Sequence, residues 1–299
     1  MSFPCAITAD WPRGPYTWLE GSTLCVSIPF TWNLPDVRHD IEQGGLLWDD
    51  VLVGGPATQL MPEYFADLPY VRVGTDAPGV LQLVNPWATR TTTGCPNRCG
   101  FCGIGRGLIE PGGLRELEDW PDLPILCDNN ILAASPAHFD RVMDRLDRWG
   151  WCDWNQGLDA RLLNAHHAER IARIKRPLCR LALDAMAVAD AWENAFTLLR
   201  RFKVAKKNIR SLILIGFTDT PEDAWRRCLW VEQYGVNPSP MWFHPLDALE
   251  WNAVTERQKE LGWSREERAR IMGYFYKRRG SVPANIITPA MAQPRPASM

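Results

Sequence analysis

Short apolar runs alternate with amphipathic segments along the middle of the chain, from about residue 86 to residue 250. The apolar runs have the length of strands, and the segments between them repeat apolar residues at helical spacing. The five predicted strands are Leu123–Cys127, Cys152–Leu158, Leu178–Leu183, Ser211–Gly216 and Met241–Phe243. Four helices are predicted. The first begins after Ser135, and the other three span 164–175, 189–202 and 220–233. This α/β alternation predicts a parallel sheet with helical crossovers, as either an open doubly wound sheet or a full or partial barrel.

The first 85 residues follow a weaker pattern, which predicts a small α/β segment. A helix is predicted near Pro35–Gln43, and turn signals such as Gly54-Gly55-Pro56 separate short apolar runs. The four predicted strands of this segment are Thr23–Ile28, Asp50–Val53, Leu68–Val73 and Val80–Val84.

The chain becomes helical and charged after residue 250. Ser264 and Glu267 form a capping box, which predicts a helix that runs to about Arg279. The prolines that follow predict a disordered tail. The predicted organisation is an N-terminal segment of residues 1–85, a core of 86–250, a C-terminal helical extension of 251–280 and a tail of 281–299.

The composition is that of an ordinary globular protein of 299 residues, with 46% hydrophobic and 23% charged residues. No run of about 18 apolar residues occurs, so we expect no membrane-spanning helix and no membrane partner. The first ten residues lack the basic and apolar regions of a secretory signal. The nine cysteines are odd in number, which favours reduced thiols over a disulfide framework. We therefore expect a cytoplasmic protein.

Charge is unevenly distributed, although the formal net charge is only −2. Residues 1–90 contain four Arg, no Lys and ten acidic residues, whereas residues 196–280 contain sixteen basic and ten acidic residues. The basic residues singled out in the second stretch are Lys203, Lys206, Lys207, Arg210, Lys277, Arg278 and Arg279. With Tyr274, Phe275 and Tyr276 nearby, they could serve a nucleic acid. The alternative is a solvated helix face, which the near-neutral total charge favours.

Three cysteines are crowded into eight residues with the spacing Cys-x3-Cys-x2-Cys. Thiolates at Cys95, Cys99 and Cys102 would repel one another unless a metal centre neutralised them. Glycines at 94, 100 and 103 would let the loop fold tightly around such a centre.

Two kinds of metal centre fit this spacing. A structural zinc ion would need a fourth ligand, for which the sequence offers Cys127, His138 or His244. An iron–sulfur cube with three protein thiolates would instead keep one iron free, and an open coordination position is what a catalytic metal site needs.

The cysteine loop resembles that of the radical S-adenosylmethionine superfamily, in which an aromatic residue, here Phe101, stands just before the last cysteine. The resemblance covers about residues 86–250 and implies a partial (β/α)6 barrel of the TIM type. It implies a [4Fe-4S] cluster on the three cysteines, with S-adenosylmethionine bound to the free iron. Reductive cleavage of that cofactor would give a 5′-deoxyadenosyl radical and hence an enzyme acting on an unidentified substrate. A flavodoxin- or ferredoxin-like electron donor is implied as a partner.

The resemblance also implies cofactor-binding residues at the carboxyl ends of the predicted strands, where barrel sites lie. One of Asp128, Asn129 and Asn130 would receive the cofactor amino group, the alternative being a plain Asx turn. Arg161 would form a bidentate pair with the cofactor carboxylate. The alternative for Arg161 is a salt bridge with Asp159 or Glu169.

Four further residues are implied at the later strand ends. Asp184 would accept ribose hydroxyls, the alternative being an ordinary turn or helix cap. Ile215 and Gly216 would meet the adenine, although packing of a buried strand accounts for the same residues. Trp242 also lies toward the adenine end. His244 follows it, and we interpret that histidine as structural.

Departures from the family limit these expectations. No cysteine follows Cys228 and no cysteine trio precedes Cys95, so we expect neither of the additional clusters that some members carry. The N-terminal segment faintly resembles a degenerate cobalamin-binding domain. Asp36 and His39 do not meet the Asp-x-His-x-x-Gly motif of that domain, so we expect no cobalamin. The alternative function is a non-catalytic zinc- or nucleic-acid-binding module in which the three cysteines are structural metal ligands.

Overall fold

The computed structural model describes residues 11, 14–44, 48, 50–74 and 79–277. The described residues group into two compact units. The first contains the chain up to Ile125 together with His244–Trp251, and the second contains Leu126–Phe243 and the residues from Asn252 onward. The predicted tail, together with Arg278 and Arg279, lies outside the described residues.

Strands and helices alternate along most of the described chain. The strands are β1 (Tyr16–Glu20), β2 (Thr23–Ser27), β3 (Asp50–Gly54), β4 (Val71–Val73), β5 (Ala88–Thr89), β6 (Thr92–Thr93), β7 (Arg115–Glu116), β8 (Ile125–Leu126), β9 (Trp151–Trp154), β10 (Arg176–Ala182), β11 (Ile209–Ile215) and β12 (Asn237–Trp242). The helices are α1 (Leu34–Gly44), α2 (Pro56–Leu60), α3 (Val80–Val84), α4 (Pro136–Trp149), α5 (Ala165–Arg173), α6 (Ala189–Arg201), α7 (Pro221–Gln233), α8 (Glu256–Glu260) and α9 (Arg265–Lys277). In the described part of the chain, no helix is both long and apolar enough to cross a bilayer.

The first unit contains a four-stranded sheet in the order β1-β2-β3-β4. β1 and β2 form an antiparallel hairpin, whereas β2 pairs with β3 and β3 with β4 in parallel. Val51 and Val53 are buried on one face of β3, because alternate side chains of a strand point to the same side. Leu34 and Ile41 of helix α1 belong to the same hydrophobic core.

A glycine turn leads from β3 into helix α2. Gly55 has a φ of +98°, and a Cβ at this position would lie 2.7 Å from the carbonyl oxygen of Ile28. The amide of Ile28 donates to the oxygen of Gly54 (2.8 Å), and the amide of Ala57 donates to the oxygen of Ile28 (3.1 Å). The turn is thus tied to the end of β2, and both its backbone conformation and this close approach favour glycine.

The second unit is built on parallel strands of a six-stranded sheet in the order β12-β11-β10-β9-β8-β5. The pairings of β9 with β10, β10 with β11 and β11 with β12 are parallel. A helix lies in each connection from β8 to β12. Neighbouring strands follow one another in chain order, without the reversal that defines a doubly wound sheet. The predicted α/β class with a parallel sheet and helical crossovers is confirmed.

Capping residues set the helix boundaries close to the predicted ones. The Ser135 hydroxyl accepts a hydrogen bond from the His138 amide at the start of α4. Thr220 and Asp223 form a reciprocal capping box at the start of α7. Gly150, with a φ of +67°, ends α4. These side chains satisfy backbone groups that a helix end otherwise leaves without partners.

One predicted strand is wrong: Val80–Val84 is the short helix α3. A five-residue apolar run fits a strand and a single helical turn equally well, since it is too short to reveal a period. Gly79, in the left-handed conformation with a φ of +87°, begins the helix. The predicted strand Leu68–Val73 is shorter than expected, since only β4 pairs with β3.

We expect Gly55→Ala to lower the free energy of unfolding by about 2–4 kcal/mol, because the new Cβ adds left-handed strain and contacts the Ile28 backbone. Gly79→Ala is the matched control. Gly79 also has a positive φ, but a Cβ there would meet nothing within 4 Å, so we expect a loss of about 1 kcal/mol. Urea unfolding followed by circular dichroism measures both. Equal losses would show that the approach to Ile28 is not what requires glycine.

Candidate functional site

A two-stranded ribbon closes the base of the three-cysteine loop. β6 and β7 pair antiparallel, with Thr92 opposite Glu116. Beyond this pair, the amide of Leu117 donates to the oxygen of Thr91 (2.9 Å). The loop therefore begins and ends at this ribbon, and the three cysteines lie within the segment so enclosed.

Glu110 anchors the start of the loop. Its carboxylate accepts a hydrogen bond from the Gly94 amide (2.6 Å) and pairs with the Arg90 guanidinium (2.5 Å). Gly94 has a φ of +69°, and a Cβ there would lie 1.9 Å from the oxygen of Gly113, so the turn before Cys95 accepts only glycine. No local sequence pattern marks Glu110, because its partners lie 16 and 20 residues away.

Cys99 and Cys102 stand at the two ends of one hydrogen-bonded turn. The amide of Cys102 donates to the oxygen of Cys99 (3.1 Å), which keeps the two Cα atoms within about 7 Å. Phe101 lies within this turn and is half-buried. Gly105 folds back against Cys99, where a Cβ would lie 2.6 Å from the amide nitrogen. The sequence analysis named Gly94, Gly100 and Gly103 as the glycines that let the loop fold tightly, and it did not name Gly105.

The three thiols of the loop are accessible, but they do not form a cluster. All eight described cysteines are thiols, and the three of the loop are partly exposed. Within the described residues, no three His, Cys, Asp or Glu side chains come together as a group that could hold a metal ion.

The donor set and the backbone of the loop nevertheless fit a metal centre. Cys99 and Cys102 flank one turn, so rotation about their side-chain bonds can bring both sulfurs toward a common centre. Thiolates are the ligands that zinc and iron–sulfur clusters prefer. The close approach of Gly105 to Cys99 keeps the loop compact at this point.

In the second unit, the predicted cofactor-binding residues lie at the carboxyl ends of the strands, which we call the carboxyl edge. The carboxyl ends of parallel strands meet on the same side of a sheet. Asp128 and Asn130 are buried and Asn129 is half-buried. The positions along the edge are Asp128–Asn130 after β8, Arg161 after β9, Asp184 after β10, Ile215 and Gly216 at the end of β11, and Trp242 at the end of β12.

Asp159 links two of these residues. The Arg161 guanidinium donates to both carboxylate oxygens of Asp159, each at 2.8 Å. The Asn130 amide nitrogen Nδ2 donates to the same carboxylate at 3.3 Å. The structure therefore brings Asn130 and Arg161 together through Asp159, the alternative partner that the sequence offered. Because 48% of the Arg161 side chain is exposed, this ion pair is weakly stabilising.

Asp184 lies in an environment that destabilises its ionised carboxylate. Its carboxylate accepts one long hydrogen bond, from the amide of Leu214 (3.3 Å). Burial raises the pKa of Asp184, while the Leu214 amide and the charges of Arg227 and Arg161 oppose the rise. Helix α6 begins beyond it with Val188 as its N-cap, so Asp184 is not a helix cap. Its carboxylate has hydrogen-bond acceptor capacity that the Leu214 amide does not use.

Packing accounts for Ile215, Gly216 and Trp242. Ile215 is fully buried, and a Cβ on Gly216 would lie 2.4 Å from the Trp242 ring. Trp263 meets the same ring edge to face at 5.0 Å, and the Arg268 guanidinium lies 5.9 Å from its centroid. These are the contacts of core residues.

The aromatic residues considered for nucleic acid binding are also engaged in packing. Phe275 is buried and lies 5.3 Å from the Trp225 ring, and Tyr274 meets that ring at 5.2 Å. The Tyr276 hydroxyl donates to the oxygen of Pro240 (2.9 Å). In the first unit, the His244 ring lies 4.4 Å from Trp32, as suits a structural histidine.

The chain matches no model of a known protein family. The search of curated proteins likewise finds no match. A functional assignment therefore depends on the chemistry of the residues described above.

We expect Gly105→Ala to displace the backbone at Cys99 and to weaken metal binding by the loop roughly tenfold or more. Titration with Co²⁺ measures this, because thiolate ligation gives an intense charge-transfer absorption. Gly14→Ala is the control, since Gly14 has no positive φ and a Cβ there would lie in open space. Unchanged cobalt affinity in Gly105→Ala would show that the packing against Cys99 does not shape the site.

We expect Asp184→Asn to raise the free energy of unfolding at pH 7. Because the folded-state pKa is raised, the ionised carboxylate opposes folding at high pH, and this penalty vanishes as the pH falls below the ordinary value of 3.8. The stability advantage of Asp184→Asn over the wild-type chain should therefore become smaller as the pH falls. Asp219→Asn, which leaves Arg227 buried and unpaired, should instead lose about 3–5 kcal/mol. Urea unfolding at several pH values measures the free energy of unfolding of both variants. If Asp184→Asn is no more stable than the wild-type chain at pH 7, this account is contradicted.

Proposed function

We propose that the chain is a radical S-adenosylmethionine enzyme, which reductively cleaves that cofactor at a [4Fe-4S] cluster to generate a 5′-deoxyadenosyl radical. The radical would act on an unidentified substrate. The observation that carries the proposal is a loop of three cysteines, two of them joined by one hydrogen-bonded turn, ahead of a strand–helix series whose neighbouring strands follow chain order.

Cys95, Cys99 and Cys102 would hold the cluster. When bound, it would supply one electron to the sulfonium and an open coordination position for the amino acid end of the cofactor. The chain itself would fix the geometry of the ligands. Glu110 would hold the turn before the first cysteine through the Gly94 amide, and Gly105 would keep the loop against Cys99.

The carboxyl edge of the second unit would contribute polar groups for the cofactor. Asp184 has acceptor capacity suited to ribose hydroxyls, and its raised pKa indicates a carboxylate that would gain from hydrogen-bond donors. Asp128, Asn129 or Asn130 would receive the amino group. Arg161 would pair with the cofactor carboxylate in place of Asp159, because its guanidinium is half-exposed and within reach of a ligand.

The same proposal specifies the fold and the setting more finely. We propose a partial (β/α)6 barrel, which the chain-order arrangement of the six-stranded sheet supports. Three reduced thiolates and one-electron chemistry call for a reducing compartment, so we propose the cytoplasm. A flavodoxin- or ferredoxin-like protein would supply the electron.

Anaerobic reconstitution of the full chain with iron and sulfide tests the proposal. We expect a brown protein with the electron paramagnetic resonance signal of a reduced [4Fe-4S] cluster, and 5′-deoxyadenosine on reduction with S-adenosylmethionine. Cys95→Ala, Cys99→Ala and Cys102→Ala should each lose the cluster and the product. Cys25→Ala is the control, because Cys25 is a buried cysteine of β2 in the same unit and should leave the cluster intact.

The products of the same experiment separate the alternatives. A structural zinc module would be colourless, would contain one zinc ion per chain and would lose it when Cys127 or a histidine ligand is replaced. S-adenosylhomocysteine in place of 5′-deoxyadenosine would indicate methyl transfer. A full cluster retained by Cys99→Ala would overturn the assignment of the ligands.

A further inference from the structure

Exposed basic residues collect at the amino ends of β10 and β11 in the second unit. β10 and β11 are parallel neighbours, with Cys179 opposite Ile209. Arg176 lies three residues before Cys179, and Lys206 lies three residues before Ile209. The chain therefore enters β10 and β11 at the same level of the sheet. We call six exposed residues of the connections into these strands the basic edge: Lys175, Arg176, Arg201, Lys203, Lys206 and Lys207.

The charges of the basic edge are not neutralised within the fold. None of its six residues forms an ion pair with a described residue, whereas nearby Arg173 pairs with Glu169 at 3.0 Å. Attraction to the helix dipole explains cations in the last turn of a helix, and Arg201 ends α6. It does not explain Lys203 and Lys207, which lie beyond that turn, whereas the Lys206 Nζ atom lies close to Gly235 at the end of α7.

Lys203 occupies a backbone conformation that disfavours its side chain. Its φ is +70°, and its amide donates to the oxygen of Arg200 just after α6 ends. Glycine is the usual residue at such a left-handed helix end, because any Cβ is strained there. A lysine at this position makes the fold less stable than a glycine would, but it adds a positive charge. This points to a role for that charge outside the fold.

The chemistry of the basic edge fits phosphates better than a protein partner. Protein interfaces depend on apolar and aromatic anchors at their centre. None of the large exposed hydrophobic residues of the described chain lies on the connections of the basic edge. Phosphate backbones, by contrast, are bound by arginine and lysine charges without apolar anchors.

We propose that the basic edge binds the phosphodiester backbone of a nucleic acid. The contact is electrostatic and independent of base sequence, since Tyr274 and Phe275 pack against Trp225 and the Tyr276 hydroxyl is bound to the oxygen of Pro240. The proposal stands on the second unit alone and does not depend on the cysteine loop.

Fluorescence anisotropy with the full chain tests this, using a labelled 30-nucleotide RNA and a 30-base-pair DNA duplex. Neutralising four to six phosphates predicts that raising KCl from 50 to 200 mM weakens RNA binding roughly 50- to 400-fold. The two probes tell whether single-stranded or duplex backbone is preferred. Binding that is absent at 50 mM KCl, or that ignores salt, would overturn the proposal.

Matched charge reversals locate the contact. Lys206→Glu with Lys207→Glu should weaken binding at least tenfold. The control, Arg257→Glu with Lys259→Glu, makes the same change of net charge on α8, where Gln258 donates to the oxygens of Gly216 and Phe243 at the other end of the strands. We expect the control to bind nearly as wild type. Equal losses in both double variants would contradict a localised site.

Lys203→Gly separates binding from stability. It should bind nucleic acid more weakly and yet unfold at a higher urea concentration, because glycine removes the left-handed strain. Unchanged nucleic acid affinity would remove Lys203 from the site. If poly-L-glutamate of equal charge binds the wild-type chain as tightly as RNA does, the edge is a surface for acidic proteins and the nucleic acid assignment is wrong.

Discussion

One buried ion pair organises the carboxyl edge of the second unit. Asp219 and Arg227 lie 2.6 Å apart, with only 9% and 4% of their side chains exposed. The Asp219 carboxylate also accepts the Gly216 amide (2.8 Å), so the pair fixes the turn after β11. Trp263 donates to the Asp219 carbonyl (2.6 Å) and Gln258 to the Gly216 carbonyl (2.8 Å), which attaches the C-terminal helices to that turn. Since a buried charge without its partner is strongly destabilising, the turn and its attachments depend on this pair.

The sequence predicted the parts of the fold that depend on local rules. Apolar runs and capping residues such as Ser135 and Thr220 located the strands and helices of the second unit, because their stabilising contacts lie within a few residues. The strand predicted at Val80–Val84 was wrong because a run of that length fits both periods. The hairpin strand β1 was missed, and the short helix α8 was not located separately within the predicted C-terminal helical extension. Both carry local signals, since only Gly21 and Ser22 separate β1 from its partner β2, and Thr255 and Gln258 form a capping box at the start of α8.

The candidate site divides in the same way. The spacing of Cys95, Cys99 and Cys102 is visible in the sequence, whereas Glu110 is not, because it reaches the loop from 16 residues away. For Arg161 the sequence named both a cofactor and Asp159 as partners, and only the fold shows the guanidinium on Asp159. Local chemistry thus identifies which residues can react. The folded geometry decides which residues they contact in the absence of a ligand.

The second unit retains residues that oppose its own stability at two places. At the carboxyl edge, Asp184 keeps a carboxylate where burial raises its pKa and only one long hydrogen bond compensates. At the amino end of β11, Lys203 keeps a side chain where glycine would fit without strain. Departures of this kind concentrate where a side chain is needed for something other than folding, which favours the proposals made for these two ends of the strands.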